Sequence, residues 1–275
     1  MNATGWHLPQ FLLASALSSS VANAAAPSES DNFLVISRSS SHSAALTLKL
    51  CEAWRAALLR KWPSDADKAA WSPKCEVHIH NCRKCYLAAV GAGGAQTSAS
   101  CQIQWTKNPA QIRRRIDIYN DSPQGLAALP HELTHLVLAD LFDAGPPPRW
   151  ADEGLAVLAD SPGKQALRER DLAQAIARRT EFRLVELLAI EAYPQPSRGA
   201  VYCGQCASPA RFLLARGDGP RMVEFLKSAR VDGYDQALRR VYAIDGVSEL
   251  KSQWCQWRCP SGATKPAPAR GKSAQ

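Results

Sequence analysis

The stretch Pro130-His131-Glu132-Leu133-Thr134-His135 is an H-E-x-x-H box, the pattern by which one helix presents two imidazoles and a carboxylate together. At about 100° per residue on an α-helix, His131 and His135 point the same way and can share one metal ion. Glu132 falls on the same arc, close enough to handle the proton of a water held there. The box lies within an apolar run, residues 126–142, that reads as a helix. Ser122-Pro123 offers an N-cap and first-turn pair, and Pro130 is expected to kink the helix or restart it. A hard stop follows at Asp143-Ala144-Gly145-Pro146-Pro147-Pro148.

Across that turn a second helix is expected over residues 149–160, and it contains Trp150-Ala151-Asp152-Glu153-Gly154-Leu155-Ala156. Glu153 stands eighteen positions after His135, on a helix expected to pack back against the first. A catalytic zinc takes three protein ligands and keeps one position open for water; His131, His135 and Glu153 supply that set. The pair of segments resembles the gluzincin metallopeptidases, in which H-E-x-x-H is followed by a glutamate ligand on the next helix. The W-x-x-E-G-L-A form is similar to the bacterial peptidase MA-like group in particular.

The resemblance covers residues 110–258 through specific motifs, and residues 32–109 only through strand-helix-strand order. It implies zinc as cofactor, a peptide or protein as substrate, and Glu132 as the general base of peptide-bond hydrolysis. Val201-Tyr202-Cys203-Gly204-Gln205-Cys206 resembles the Tyr-x-x-Gln-Ser stretch that often follows the glutamate helix in that group. By that likeness Tyr202 would donate a hydrogen bond to the oxyanion, although Cys206 replaces the serine and Pro209 follows shortly after; the alternative is simple packing with its hydroxyl satisfied. The thermolysin-like branch carries an aspartate four residues after its glutamate ligand, where this chain has Val157. Partners for the outer nitrogens of the histidines are then to be sought in Asp152 or Asp160, which are otherwise surface charges. No G-x-M-E-N motif accompanies the box, so recognition of a free amino terminus has no support and endopeptidase action is the default.

At 275 residues the chain accommodates one sizeable catalytic domain or two small ones. The formal charge of +8 arises from 33 basic and 25 acidic residues. Arg113-Arg114-Arg115 forms one basic run, and the tail after Cys259 carries Lys265, Arg270 and Lys272 with no acid. No nucleic-acid motif accompanies these charges, so a solvated surface is expected and nucleic acid is not. Residues 1–24 carry no charged side chain, contain a short apolar stretch at 11–17 and end in Val21-Ala22-Asn23-Ala24. This reads as a cleavable signal peptide, and the stretch is too short to span a membrane. Export, secreted or periplasmic, agrees with nine cysteines, which in an oxidising compartment make up to four disulfides with one left over. One bridge is expected between Cys51 and Cys75.

Strands are expected at residues 32–37, 75–80, 101–105 and 112–120, with a helix at 43–62. The strand at 112–120 is either the edge that pairs with an extended peptide or an ordinary strand with Arg113 and Arg115 solvated. His78, His80, Cys82 and Cys85 form an H-x-H-x-C-x-x-C cluster, and Cys203-x-x-Cys206 a second pair; disulfides are favoured there over a second metal. Later helices are expected at 164–179, 184–190, 200–216, 220–229, 234–242 and 247–257, and a disordered tail at 259–275. The fold class is therefore α+β, with a small N-terminal mixed sheet (32–121) leading into a mainly helical half (122–258), the order found in zincins. Two alternatives to a peptidase remain: an exported zinc-binding protein without turnover, and a disulfide-stabilised binding protein.

Overall fold

The computed structural model describes residues 26–38, 43–62, 69–105, 112–119, 125–142 and 145–258. The expected signal peptide, the Ser122-Pro123 cap and the expected tail lie outside the described residues. In chain order the first half contains β1 (Ser28–Glu29), β2 (Phe33–Ser37), α1 (Ala44–Lys61), β3 (Cys75–His80), α2 (Arg83–Val90), β4 (Ala99–Gln104) and β5 (Arg113–Tyr119). The second half contains α3 (Leu129–Asp140), α4 (Arg149–Val157), α5 (Pro162–Arg178), α6 (Leu184–Leu188), α7 (Gly199–Leu214), α8 (Gly219–Asp232), α9 (Tyr234–Tyr242) and α10 (Gly246–Arg258). The expected α+β order, a small mixed sheet and then a mainly helical half, is what the chain adopts.

The five strands lie in the order β1-β2-β3-β5-β4. β2, β3 and β5 run parallel to one another, while β1 and β4 pair antiparallel at the two edges. Period-2 alternation sets the faces. Val35, Val77, Ile116 and Cys101 share one row across the sheet, with Ile79 opposite Ile118 beside it. This apolar face is covered by α1 and α3. The opposite face carries Glu76, His78, His80, Arg115 and Asp117 and is crossed at one end by α2, whose Tyr86 ring meets His80 and Tyr119. The eight-residue α2 was not anticipated from the sequence.

Of the two readings of the strand at 112–120, edge or ordinary strand, the structure has the second: β5 sits between β3 and β4, and the free antiparallel edge belongs to β4. The arginines of β5 are not all solvated. Only Arg113 is exposed; Arg115 grips Asp117 at 2.7 Å, and Arg114 is buried and paired with Asp140, the last residue of α3. Asp140 also accepts from the Trp71 indole at 2.5 Å, and the Arg114 guanidinium stacks 4.9 Å above the Trp71 ring. This knot ties the C-terminal end of α3 to the sheet.

Helix α3 starts at Leu129, after a short 3-10 turn over Gly125–Ala128. Pro130 occupies the first turn, where its missing N–H leaves no bond unmade, so the proline restarts the helix rather than kinking it. Nearly every side chain of α3 is buried, and one contiguous core runs from Phe33 and Val77 through Leu133 and Leu136 to Trp150 and Phe212. Burying each of the large apolar side chains contributes about 1.5–3 kcal/mol. The helical half closes around α7, which packs against both α4 and α5 at glycines. A Cβ on Gly154 would lie 2.4 Å from the Cys206 carbonyl oxygen, and one on Gly204 would lie 2.4 Å from the Arg168 carbonyl oxygen. Backbone-to-backbone contact of this kind needs residues without a side chain. Helix α7 continues through Pro209 without interruption.

Candidate metal centre

His131 and His135 project from α3 with ring centroids 5.0 Å apart, and α4 brings Glu153 opposite them. One ligand atom from each of the three residues lies within 4.8 Å of the other two, a spacing that could hold a metal ion. It is the only such histidine, cysteine or carboxylate group among the described residues. His131 Nε2 stands 4.0 Å from Glu153 Oε1. Tetrahedral metal sites need this separation, since ligand atoms about 2.0–2.2 Å from the ion sit more than 3 Å from one another.

The outer nitrogens of both histidines face carboxylates. His135 Nδ1 lies 2.8 Å from Asp152 Oδ1, a hydrogen bond that makes Nδ1 the donor and turns Nε2 toward the metal position. His131 Nδ1 lies 3.3 Å from Asp160 Oδ2. Both candidates named from the sequence, Asp152 and Asp160, are therefore engaged, and neither is a simple surface charge. Arg149 and Lys164 stand behind them at 3.7 and 3.2 Å.

Each oxygen of Glu153 is also held from its own side. Tyr193 Oη donates to Oε2 at 2.9 Å, and Cys203 Sγ donates to Oε1 at 2.9 Å. Tyr193 was missed by sequence reading; it sits in an irregular segment between α6 and α7 with no periodic pattern to single it out. Of the two readings of Tyr202, oxyanion donor or packing residue, its surroundings favour packing. It is fully buried, its ring edge-on to Tyr193 at 6.0 Å, and its hydroxyl rests against the Cys206 sulfur with no hydrogen-bond partner of ordinary geometry. A phenol enclosed in this way cannot reach an atom of a bound substrate, whereas Tyr193 is more than half exposed and touches the metal-site carboxylate.

Four carboxylates, those of Glu132, Asp152, Glu153 and Asp160, converge here, and each residue is 8% exposed or less. Burying like charges together is costly unless cations answer them. Burial pushes the Glu132 carboxyl above the usual carboxylate range. Burial acts the same way on Glu153, but His131 and His135 outweigh it and hold that group below the usual range. For His135 burial favours the neutral ring, yet the Asp152 carboxylate, with Glu153 and Glu132 beyond it, lifts the pKa to about 9. The pocket is thus set to hold positive charge. A cation held by His131, His135 and Glu153 would answer that demand.

Of the two C-x-x-C pairs expected to be bridged, Cys82 and Cys85 are, while Cys203 and Cys206 stay free. Cys82 and Cys85 form a disulfide at the start of α2, so that pair does not ligate a metal, and His78 and His80 are bonded to Glu76 and Asp117. Cys51 and Cys75 are not bridged; both are free thiols buried in the core, where desolvation raises their pKa values. Cys101 on β4 lies near the centre: burial first, and then the charge of Glu132, push its thiol up. The metal helix and the free sheet edge are therefore neighbours.

The sequence matches no protein-family model and no curated protein. No helix among the described residues is long and apolar enough to cross a membrane.

Proposed function

We propose that this chain is a zinc-dependent hydrolase of peptide bonds with the ligand arrangement of the gluzincins. The observation that carries the reading is the convergence of His131, His135 and Glu153 within 4.8 Å, inside a buried ring of carboxylates that calls for a cation. The donor set of two imidazoles and one carboxylate suits zinc and leaves a fourth position for water. When bound, zinc supplies a Lewis acid that lowers the pKa of its water to about 7 and polarises a carbonyl.

The protein residues do the rest. Glu132, raised by burial, accepts the proton of the attacking water and hands it to the departing amine. Asp152 accepts from Nδ1 of His135 and so directs Nε2 of that ring to the metal position, while Asp160 sets its charge 3.3 Å from Nδ1 of His131. Tyr193, exposed at the rim, takes the role expected of the buried Tyr202 by turning its one hydroxyl proton from Glu153 Oε2 to the oxygen on which charge develops. An extended peptide pairs its main chain with the free edge of β4, beside α3. The Cys82–Cys85 disulfide fits the oxidising compartment to which an exported enzyme would be delivered.

Metal content by mass spectrometry tests the first half of this reading. About one zinc per chain is expected in the wild type and none in His135→Ala or Glu153→Ala. A peptide-library digest with the wild type beside Glu132→Gln tests the second half. Absence of zinc from the wild type, or cleavage unchanged in Glu132→Gln, overturns the proposal.

A further inference from the structure

Glu153 is a lone carboxylate on the face of α4, and a carboxylate with free torsions is a poor metal ligand until something fixes its plane. In this chain both of its oxygens are fixed from outside α4: Oε2 by Tyr193 and Oε1, the oxygen nearer His131, by Cys203. The two contacts differ in kind. Tyr193 lies in an irregular segment at the rim and gives its one hydroxyl proton to Oε2. Cys203 is on α7, whose backbone touches that of α4 where Gly154 meets the Cys206 carbonyl oxygen. The helices thus meet at two successive points, Glu153 with Cys203 and Gly154 with Cys206, which sets the backbone of Cys203 beside the carboxylate.

We propose that Cys203 is a positioning residue for the metal site, its thiol holding Glu153 in the orientation that binds the ion. The inference rests on the metal-site reading above and deepens it. It assigns to a cysteine, a residue with many other uses in an exported protein, a duty that needs the sulfur reduced and unbridged. Cys203 and Cys206 therefore serve as free thiols, and pairing them with each other or with another cysteine would take the donor from Glu153.

The test is zinc affinity by competition with a chromophoric chelator, for the wild type, Cys203→Ser, Cys203→Ala and Cys203→Val. The serine keeps a donor at the same place; valine fills the volume of the sulfur without one. Loss of an outer hydrogen-bond partner weakens metal sites by about 10–100-fold, and that loss is expected in Cys203→Ala and Cys203→Val. Cys203→Ser should stay within about threefold of the wild type, because a hydroxyl donates at least as well as a thiol. The inference is overturned by alanine and valine forms that bind zinc like the wild type, or by a serine form as weak as alanine. A wild type that takes up no zinc overturns the metal-site reading itself, and this inference with it. Thermal midpoints of the metal-free proteins separate lost positioning from lost folding: a valine form that melts with the wild type yet binds zinc weakly supports the positioning role.

Discussion

Asp152 Oδ1 lies 2.8 Å from Nδ1 of His135, while the next residue, Glu153, turns its carboxylate toward Nε2 of His131 at 4.0 Å. Consecutive residues on a helix diverge by about 100°, so a single turn of α4 reaches both sides of the histidine pair, one side to orient and the other to ligate. Asp152→Asn keeps the shape but takes away the charge behind His135. The expected result is zinc affinity reduced by about 10–100-fold with the fold intact, read by chelator competition and circular dichroism.

Glu132→Gln separates binding from turnover. The side chain is 8% exposed and sits beside the ligands without being one of them. Zinc content should be unchanged, and cleavage of a peptide identified in the library digest should fall by about 10²–10⁴-fold, the usual contribution of a general base.

Tyr193→Phe removes one hydroxyl from the rim of the centre. Loss of a single oxyanion donor costs about 10²–10³-fold in kcat, and that is the expected loss, with KM little changed. Tyr202→Phe, whose hydroxyl is enclosed and unpartnered, should cut as fast as the wild type. Steady-state kinetics on both variants settle which tyrosine takes part.

Gly154→Ala places a methyl group 2.4 Å from the Cys206 carbonyl oxygen. The helices must part, which in a packed core costs about 1–3 kcal/mol, and Glu153 must move with α4. Urea unfolding should show the loss of stability, and zinc affinity should fall in the same variant although no ligand has been changed.

Acid stability should report on Asp117. This buried carboxyl loses solvation, but Arg115 at 2.7 Å and His80 at 2.7 Å outweigh that and hold its pKa at about 2, against an ordinary 3.8. A depressed carboxyl pKa stabilises the folded state above the unfolded value and loses that contribution as pH falls toward the folded one. The contribution is about 2 kcal/mol at neutral pH, and it disappears between about pH 4 and about pH 2. Urea midpoints across that interval should drop more steeply for the wild type than for Asp117→Asn.

The parts of the centre that follow from helical periodicity were legible before any coordinates. An i, i+4 histidine pair has one face to occupy, and Trp150 to Ala156 carries its own pattern, so both helices and all three residues of the candidate metal group could be named. Asp152 and Asp160 could only be offered as candidates, because their roles depend on where α4 ends and how the chain turns after Val157. Tyr193 could not be found. It reaches Glu153 across 40 positions from a segment whose only marks are a following proline and its own ring. Tyr202 stood in a recognisable stretch and drew attention away, since sequence does not show which way a helical phenol faces. The strands were legible from alternation, but their lateral order was not: β4 and β5 read alike as strands, and only the pairing makes β4 the edge. Cysteine pairing was equally closed, because Cys51 and Cys75 can share a core without sharing a bond.

The two edges of the sheet are unequal. β1 spans two residues and offers a neighbour almost nothing to pair with, whereas β4 spans six and runs beside the helix that carries the histidines. An edge that binds through amide and carbonyl groups is largely indifferent to the side chains it meets, but it is strict about their conformation. A segment already committed to its own helix or sheet has no main-chain groups to spare. Were β4 to hold a peptide as proposed, preference would be set by the folding state of the other molecule, admitting tails, linkers and damaged chains and passing over intact domains.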